Sequence, residues 1–151
     1  MNVVRVGDAR DVAAIMPVMD SAFDPLFGEA WTAAQCLATL AMPGAQLLVA
    51  QDTQRTTGFA LSRTIADEEE LLLIGVLPES RRHGVGRALV EWLLAIAKDC
   101  NRSTVFLEVR EGNSAEYFYQ KMGFQPIGRR KAYYHSKDGK KYDAITMATN
   151  I

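Results

Sequence analysis

Residues 81–87 contain three arginines and two glycines in the sequence Arg81-Arg82-His83-Gly84-Val85-Gly86-Arg87. This segment follows the apolar run Leu71–Leu77 and opens an amphipathic pattern typical of a helix. Free backbone N–H groups and the dipole at a helix N-terminus attract anions, and glycines let a phosphate approach the backbone. The arginines add full positive charges. We therefore predict that the segment holds a phosphate-bearing cofactor.

Two familiar phosphate-binding loops do not fit this segment. No Lys-Ser or Lys-Thr pair follows Gly86, which excludes a Walker loop. Position 89 is leucine where the dinucleotide-binding pattern G-x-G-x-x-G requires its third glycine. The pattern that remains is Arg81-x-x-Gly84-x-Gly86 between a strand and a helix. The alternative is a basic turn that only caps the helix.

The composition limits the kinds of molecule that the protein is expected to bind. The chain has 151 residues, of which 48% are hydrophobic and 23% charged, and its net charge is −1. These values suit a single domain over residues 1–151, and they provide no basic field for nucleic acid or anionic lipid. Cys36 and Cys100 form no C-x-x-C pair, and no apolar run has the length of a signal or membrane segment. We expect a cytoplasmic protein that binds neither nucleic acid nor membranes directly.

Metal and hydrolase chemistry find little support in the sequence. His83 and His135 lie far apart, with no cysteine or carboxylate at ligand spacing, so we predict no metal site. Ser21, Ser62 and Ser80 occupy no nucleophile elbow, which argues against a serine hydrolase.

Hydrophobic periodicity predicts the order strand, helix, helix, strand, strand, strand, helix, strand, helix, strand, strand. This order indicates a mixed, layered α/β fold. We expect the first helix, over residues 9–23, to kink or break at Pro17. The helix over residues 85–100 is expected to bury one face made of Val85, Leu89, Trp92, Leu93 and Ile96.

Two local patterns carry further expectations. The acidic run Asp67-Glu68-Glu69-Glu70 is either a solvated loop or an attractor for a basic peptide end. Asn113-Ser114-Ala115-Glu116 has the form of a capping box that opens a short helix.

Three motifs, together with the element order, resemble the GNAT acetyltransferase superfamily over nearly the whole chain. Arg81-x-x-Gly84-x-Gly86 is similar to the family's pyrophosphate loop. Leu107-Glu108-Val109-Arg110, followed shortly by Asn113, is the second motif, and Tyr119-Gln120-Lys121-Met122-Gly123-Phe124 is the third. The resemblance implies a mixed, mostly antiparallel sheet of about seven strands flanked by four helices.

Within the superfamily the sequence most resembles the bacterial RimI group, which acetylates the N-terminal amine of a small-subunit ribosomal protein. The residues that carry this likeness are Leu107-Glu108-Val109-Arg110, Arg129-Arg130, Tyr133-Tyr134, Asp138-Gly139, Asp143-Ala144-Ile145 and Met147. The tyrosine follows Asn113 by six residues, whereas RimI-like chains usually have seven, but Tyr119 keeps its spacing to Gly123-Phe124. The resemblance implies an acetyl-CoA-dependent N-acetyltransferase that releases coenzyme A.

The resemblance also implies which residues bind the cofactor. In the family, the strand before the phosphate loop and the next strand separate, and the pantetheine arm passes between them. The backbone groups of Ile74, Gly75 and Val76 would then lie along the arm, with the Val76 N–H near the thioester oxygen. The other residues implied are Arg81, Arg82, His83, Gly84, Val85, Gly86, Arg87, Asn113 and Tyr119.

Two residues are candidates for the proton transfers of acetyl transfer. Glu108 is the one carboxylate among the apolar residues of its strand, and we predict that it is the general base. The alternative is an ion pair with Arg110 or a charge at the strand edge. Tyr119 is the predicted general acid for the leaving thiolate, and the alternative is a tyrosine that only packs in the core.

Tyr133 and Tyr134 are predicted to hold the first residues of the acceptor, the alternative being an ordinary aromatic pair in a strand. The expected acceptor is a protein or peptide N-terminus, with a ribosomal protein as the foremost case, and the enzyme is expected to act as a monomer or weak homodimer. Two other functions stay open. One is acetylation of a small amine or lysine side chain, and the other is a non-catalytic module that binds acyl-CoA.

Overall fold

The computed structural model describes residues 2–151 as seven strands and four helices, joined in places by short 3₁₀ turns. The strands are β1 (Val3–Gly7), β2 (Ala45–Gln51), β3 (Thr56–Ile65), β4 (Glu68–Val76), β5 (Thr104–Arg110), β6 (Gln125–His135) and β7 (Lys141–Asn150). The helices are α1 (Val12–Ala22), α2 (Ala33–Leu40), α3 (Val85–Asp99) and α4 (Ala115–Lys121). The element order predicted from periodicity is confirmed.

The strands form one sheet in the order β1-β2-β3-β4-β5-β7-β6. Neighbouring strands are antiparallel except β4 and β5, which are parallel. Successive residues of β2 enter different cores: Leu47 packs with α1 and α2, whereas Leu48 packs with α3. Side chains alternate between the two faces of a strand, so the helices cover both faces of the sheet. The predicted layered α/β fold is confirmed.

The parallel pairing between β4 and β5 is short. It runs from Glu68–Thr104 to Leu71–Leu107 and then stops, although both strands continue. At the same point the register between β3 and β4 shifts, because Leu61 pairs with Leu73 and Ser62 with Leu71. The residue left over is Leu72, and a bulge of this kind bends its strand. The ends of β4 and β5 therefore separate at the middle of the sheet.

Helix α1 passes through Pro17 without a break, so of the kink or break expected there the break is wrong, and the kink stays a prediction. A proline inside a helix costs about 3 kcal/mol, because its ring removes a backbone hydrogen bond and crowds the preceding turn. Burying one large aliphatic side chain gains about 1.5–3 kcal/mol. The helix buries four such side chains against the sheet, which outweighs the cost: Val12, Ile15, Val18 and Met19.

The acidic run is a strand rather than a solvated loop. Glu68, Glu69 and Glu70 begin β4. Glu69 is buried and accepts a hydrogen bond from the Thr64 hydroxyl at 2.8 Å. Glu70 forms an ion pair with Arg63 at 3.1 Å. The carboxylates are occupied by partners across the β3–β4 pair, so the two readings expected from the sequence are wrong for Glu69 and Glu70.

The face that helix α3 buries also differs from the expectation at one position. Trp92 is 43% exposed, although the predicted apolar face includes it. The residues of α3 that are buried against the sheet are Val85, Leu89, Val90, Leu93 and Ala97. This set is rotated slightly around the helix axis relative to the predicted face, and it leaves the indole on the outer side.

Gly75 lies opposite Phe59 in the β3–β4 pair and has no room for a side chain. A Cβ added to Gly75 would lie 2.7 Å from Phe59 Cε1, and Phe59 is fully buried. We predict that Gly75→Ala lowers the free energy of unfolding by about 1–3 kcal/mol, since the ring must shift in a packed core. Urea denaturation measures this change.

The matched control is Gly86→Ala in α3. Its added Cβ would lie 3.5 Å from Phe118 Cζ, which is ordinary van der Waals contact. We expect that variant to change the free energy of unfolding by no more than about 1 kcal/mol. Equal losses in the two variants would contradict the close packing at Gly75.

Candidate functional site

A cleft of about 1120 Å³ opens where β4 and β5 separate. Its walls include Ile74, Gly75 and Val76 at the end of β4 and Glu108 on β5. The first turn of α3, part of α4 and the segment between α1 and α2 complete the walls. Its volume slightly exceeds the usual range of small-molecule sites. The cleft therefore has room for a large cofactor and part of a second substrate.

The start of α3 has the features of an anion site and lies beside this cleft. Gly84 is the N-cap with φ +78°, and no side chain of residues 2–151 caps the first turn. A Cβ added to Gly84 would meet nothing within 4 Å, so the approach to the backbone is open. Uncapped N–H groups at a helix N-terminus are the groups that bind phosphates. Gly84, Val85 and Gly86 all line the cleft, as the predicted phosphate loop requires.

The basic residues of the loop have different surroundings. Arg81 lines the cleft, and its Nη2 donates a hydrogen bond of 2.7 Å to the carbonyl oxygen of Ala22 at the end of α1. Arg82 lines the cleft with a positive φ of 64°. Arg87 also lines it and pairs with Glu91 at 3.4 Å. His83 lies outside the cleft lining, so its predicted contact with a cofactor stays a prediction.

Glu108 reaches the cleft from β5 with one oxygen held in place. Its Oε1 lies 3.2 Å from Arg130 Nη2 on β6, and the side chain is 16% exposed. Its Oε2 is buried and has no hydrogen-bond partner within residues 2–151. The ion pair with Arg110 that the sequence left open as an alternative is wrong, because Arg130 takes that place. The free oxygen is available to accept a proton.

Tyr119 lies on α4 with its ring between two other aromatic side chains. Ring centroids are 5.2 Å apart for Phe118 and Tyr119 and 5.8 Å apart for Tyr119 and Phe124. Tyr119 lines the cleft but is only 6% exposed. Burial raises the pKa of its phenol well above the ordinary value, and nearby Tyr134 adds to the rise. The phenol is therefore protonated at neutral pH, as an ordinary tyrosine is, and its raised pKa makes it a weaker acid than an exposed tyrosine.

The start of α4 differs from the predicted capping box by one residue. Asn113 Oδ1 accepts a hydrogen bond from the Ala115 backbone N–H at 3.0 Å. Glu116 Oε1 accepts one from the Gly112 N–H at 3.2 Å, where the predicted box requires the Asn113 N–H. The reciprocal box is therefore wrong: the N-cap of α4 is Ser114, and no side-chain cap hydrogen bond is made there in the part of the chain that the structure describes. Asn113 also lines the cleft.

The structure brings one of the two predicted acceptor-binding tyrosines to the cleft. Tyr134 lines it, and burial, with the negative charges of Glu29 and Glu108, raises the pKa of Tyr134 to about 12. Tyr133 is 52% exposed and packs edge-to-face on Tyr134, with centroids 5.2 Å apart. Tyr133 is outside the cleft lining, and its predicted contact with the acceptor stays a prediction.

The sequence analysis gave no binding role to three residues that line this side of the cleft: Phe27, Glu29 and Arg110. The Arg110 guanidinium lies 3.5 Å above the Phe27 ring, and Arg110 Nε lies 3.8 Å from Glu29 Oε2. Burial raises the pKa of Glu29, while the positive charge of Arg110 opposes that rise. Arg110 shares a strand face with Glu108, which is a usable signal. Phe27 and Glu29 follow no pattern that would mark them.

The chain matches a family model described as an acetyltransferase (GNAT) domain over residues 43–126, more than half of its length. The chain belongs to the GNAT acetyltransferase family. The matched region includes the phosphate loop, the separated strands and both candidate catalytic residues. The family inferred from the sequence motifs is confirmed.

Named relatives of this GNAT protein include two bacterial enzymes. It is 37% identical over 97 residues to the ribosomal protein bS18 alanine N-acetyltransferase of Haemophilus influenzae. That match covers 64% of this chain and 66% of the relative, slightly less than two thirds. It is also 35% identical over 122 residues to the N-alpha-acetyltransferase RimI of Mycobacterium tuberculosis, covering 78% of this chain and 73% of that enzyme.

The fold agrees with a solved structure of the same family. The crystal structure of the ribosomal-protein alanine N-acetyltransferase of Escherichia coli superposes with a TM-score of 0.89. The superposition covers 100% of this chain and 94% of the other, at 28% sequence identity. The predicted GNAT fold is confirmed. Within residues 2–151, no helix is both long and apolar enough to span a membrane.

The phosphate loop generates a binding prediction. Arg82 lies in the cleft lining beside the uncapped helix start, and a charge-assisted hydrogen bond to phosphate is stronger than a neutral one. We predict that Arg82→Ala weakens binding of coenzyme A about tenfold. Titration calorimetry measures the affinity.

Arg102→Ala serves as the control for that titration, because Arg102 lies outside the cleft lining and its loss removes the same charge. We expect unchanged affinity. The same titration on His83→Ala tests the predicted contact of His83. If Arg102→Ala loses as much affinity for coenzyme A as Arg82→Ala does, the effect comes from the lost charge in general. That result would contradict a direct contact between Arg82 and the phosphate.

Proposed function

We propose that this GNAT protein transfers the acetyl group of acetyl-CoA to the N-terminal α-amine of a protein. The observation that supports this most is that an uncapped helix start, Glu108 and Tyr119 line a single cleft. When bound, acetyl-CoA supplies a thioester carbonyl that the amine nitrogen attacks, so that a C–N bond forms and the C–S bond breaks. The loop at Gly84–Gly86 would hold the diphosphate through backbone N–H groups.

Glu108 is the proposed general base. An α-amine has a pKa of about 8, so it is mostly protonated at neutral pH and must lose a proton before it attacks. Oε2 of Glu108 has no partner within residues 2–151 and would accept that proton, while the other oxygen pairs with Arg130. The ion pair thus orients the carboxylate without occupying the atom that reacts.

Tyr119 is the proposed general acid. The departing sulfur needs a proton, and the phenol of Tyr119, which lines the same cleft, would donate one. Tyr119 is fixed between Phe118 and Phe124, so its hydroxyl position is well defined. The presence of a base and an acid in one cleft favours an enzyme over a non-catalytic acyl-CoA-binding module.

The acceptor proposal draws on the relatives. Their names describe acetylation of a ribosomal protein alanine, and we propose a ribosomal protein N-terminus for this chain as well. Tyr134 lines the cleft on the side where Glu108 lies and would contact the first acceptor residue. We place the protein in the cytoplasm, where such acceptors are made. Its cysteines, Cys36 and Cys100, are both free thiols, as a reducing compartment favours.

Replacing the base tests the proposal directly. We predict that Glu108→Gln lowers kcat for acetylation of an alanine-initiated peptide about 100-fold or more, because general-base catalysis contributes about that much. Acetyl-CoA consumption and mass spectrometry of the peptide measure turnover. If wild-type protein binds acetyl-CoA but acetylates no amine, it is a binding module.

Glu111→Gln is the matched control for the base. Glu111 lies three residues further along and pairs at 2.9 Å with Arg129, outside the cleft lining. We expect its kcat to stay within about twofold of wild type, as is usual for an exposed ion pair. Equal turnover in Glu108→Gln and Glu111→Gln would exclude Glu108 as the base.

Replacing the acid gives an independent test. We predict that Tyr119→Phe lowers kcat about 10- to 100-fold while the KM for acetyl-CoA changes little, because the ring still packs and only the hydroxyl is lost. The control is Tyr117→Phe on the same helix, where Tyr117 is 74% exposed. Steady-state kinetics compare the two variants. A rise in the KM for acetyl-CoA of Tyr119→Phe with no fall in kcat would assign Tyr119 to cofactor binding instead.

A further inference from the structure

Two buried polar atoms in the cleft lack hydrogen-bond partners, and they are complementary. Within residues 2–151, four buried side-chain atoms have no partner: Gln46 Nε2, Arg102 Nε, Glu108 Oε2 and Arg110 Nε. Only Glu108 and Arg110 belong to the cleft lining. One offers an acceptor atom and the other a donor. A buried polar atom left unpaired is costly, so a pair of them in a substrate cleft points to groups that a substrate supplies.

The two side chains are held next to each other. They are two positions apart on β5, so they share a strand face with Cα atoms about 6–7 Å apart. Arg130 holds one oxygen of Glu108 at 3.2 Å. The Phe27 ring supports the Arg110 guanidinium from 3.5 Å. Both groups are therefore restrained before any acceptor binds.

The neighbouring acid does not satisfy Arg110. Glu29 Oε2 lies 3.8 Å from Arg110 Nε, which is an ion pair but is too long for a hydrogen bond. Glu29 thus balances the charge of Arg110 and leaves its N–H donor free. Both side chains are largely buried, with 18% and 12% of the side chain exposed, so solvent competes little for that donor.

We propose that Arg110 donates a hydrogen bond to the first carbonyl oxygen of the acceptor, while Glu108 binds its amine. This inference rests on the proposed function and specifies its acceptor class. An N-terminal residue carries an N–H donor and a carbonyl acceptor attached to the same Cα atom, so one small group can meet both the unpartnered oxygen and the unpartnered nitrogen. A lysine side chain and a simple alkylamine have no carbonyl beside the amine. Arg110 is therefore a specificity-determining residue that selects an α-aminoacyl amine.

The test compares two acceptors in wild type and Arg110→Met. One acceptor is an alanine-initiated peptide, and the other is 2-aminopropane, which keeps the alanine carbon skeleton but replaces the carbonyl with a methyl group. We expect kcat/KM for the peptide to fall about 10- to 100-fold in the variant, since a charge-assisted hydrogen bond is lost. We expect activity on 2-aminopropane to change less than about threefold. For each acceptor, the kcat/KM of the variant is divided by that of wild type. The difference in amine pKa between the two acceptors therefore cancels.

Arg102→Met is the matched control, because Arg102 also has a buried, unpartnered Nε but lies outside the cleft lining. It is expected to leave both activities unchanged. Arg110→Lys keeps the positive charge beside Glu29 but removes the Nε donor. It replaces Arg110→Met in the test if the methionine variant does not fold. We expect it to lose peptide activity selectively as well.

The outcomes separate this inference from the proposed function. A selective loss of peptide activity supports it. Where the wild-type enzyme does not acetylate 2-aminopropane, a loss of peptide activity of about tenfold or more in Arg110→Met, with Arg102→Met unchanged, supports it. Equal losses for both acceptors, or a peptide loss smaller than threefold in Arg110→Met and Arg110→Lys, would overturn the role of Arg110 while leaving the acetyltransferase proposal intact. Absence of turnover with every amine would overturn the proposed function itself.

Discussion

The end of the β4–β5 ladder at Leu71 and Leu107 is the constraint on which the functional cleft depends. Parallel strands in a sheet normally stay paired along their length, because unpaired backbone groups in a protein interior are costly. Here the bulge at Leu72 bends β4 away from β5, while β3 and β7 keep the outer edges of both strands paired. The gap is thus built into a sheet that is otherwise continuous, and a ligand can enter its centre.

The rest of the cleft is assembled around that gap by elements from both faces of the sheet. Arg81 joins the phosphate loop to the carbonyl end of α1, so the loop that starts α3 is tied to a helix on the opposite face. The aromatic cluster around Tyr119 anchors α4 against the sheet. Because these contacts come from packed elements, the start of α3 and the candidate acid Tyr119 are held in fixed positions around the same cleft.

The acceptor side depends on the pairing of β5 with β7 and of β7 with β6. These pairings bring Arg130 within ion-pair distance of Glu108, and they bring Tyr134 to the cleft. The segment between α1 and α2 approaches from the other side, where the Lys137 N–H donates to the Leu26 carbonyl oxygen at 2.9 Å. Phe27 and Glu29 then meet Arg110. The charges of Glu29, Glu108, Arg110 and Arg130, which come from three separate parts of the chain, are thus balanced in one place.

Local sequence determined the element order, the phosphate loop and the two candidate catalytic residues, because helix periodicity, glycine positions and a lone carboxylate in an apolar strand are local signals. The family motif at Gly123-Phe124 likewise reflects a local turn, in which Gly123 has φ +96°. Only the tertiary structure decided the partners of the charges. Glu108 pairs with Arg130 rather than Arg110, Glu69 is buried, and α1 continues through Pro17. Those outcomes depend on strand register and on burial against distant residues, which no local pattern encodes.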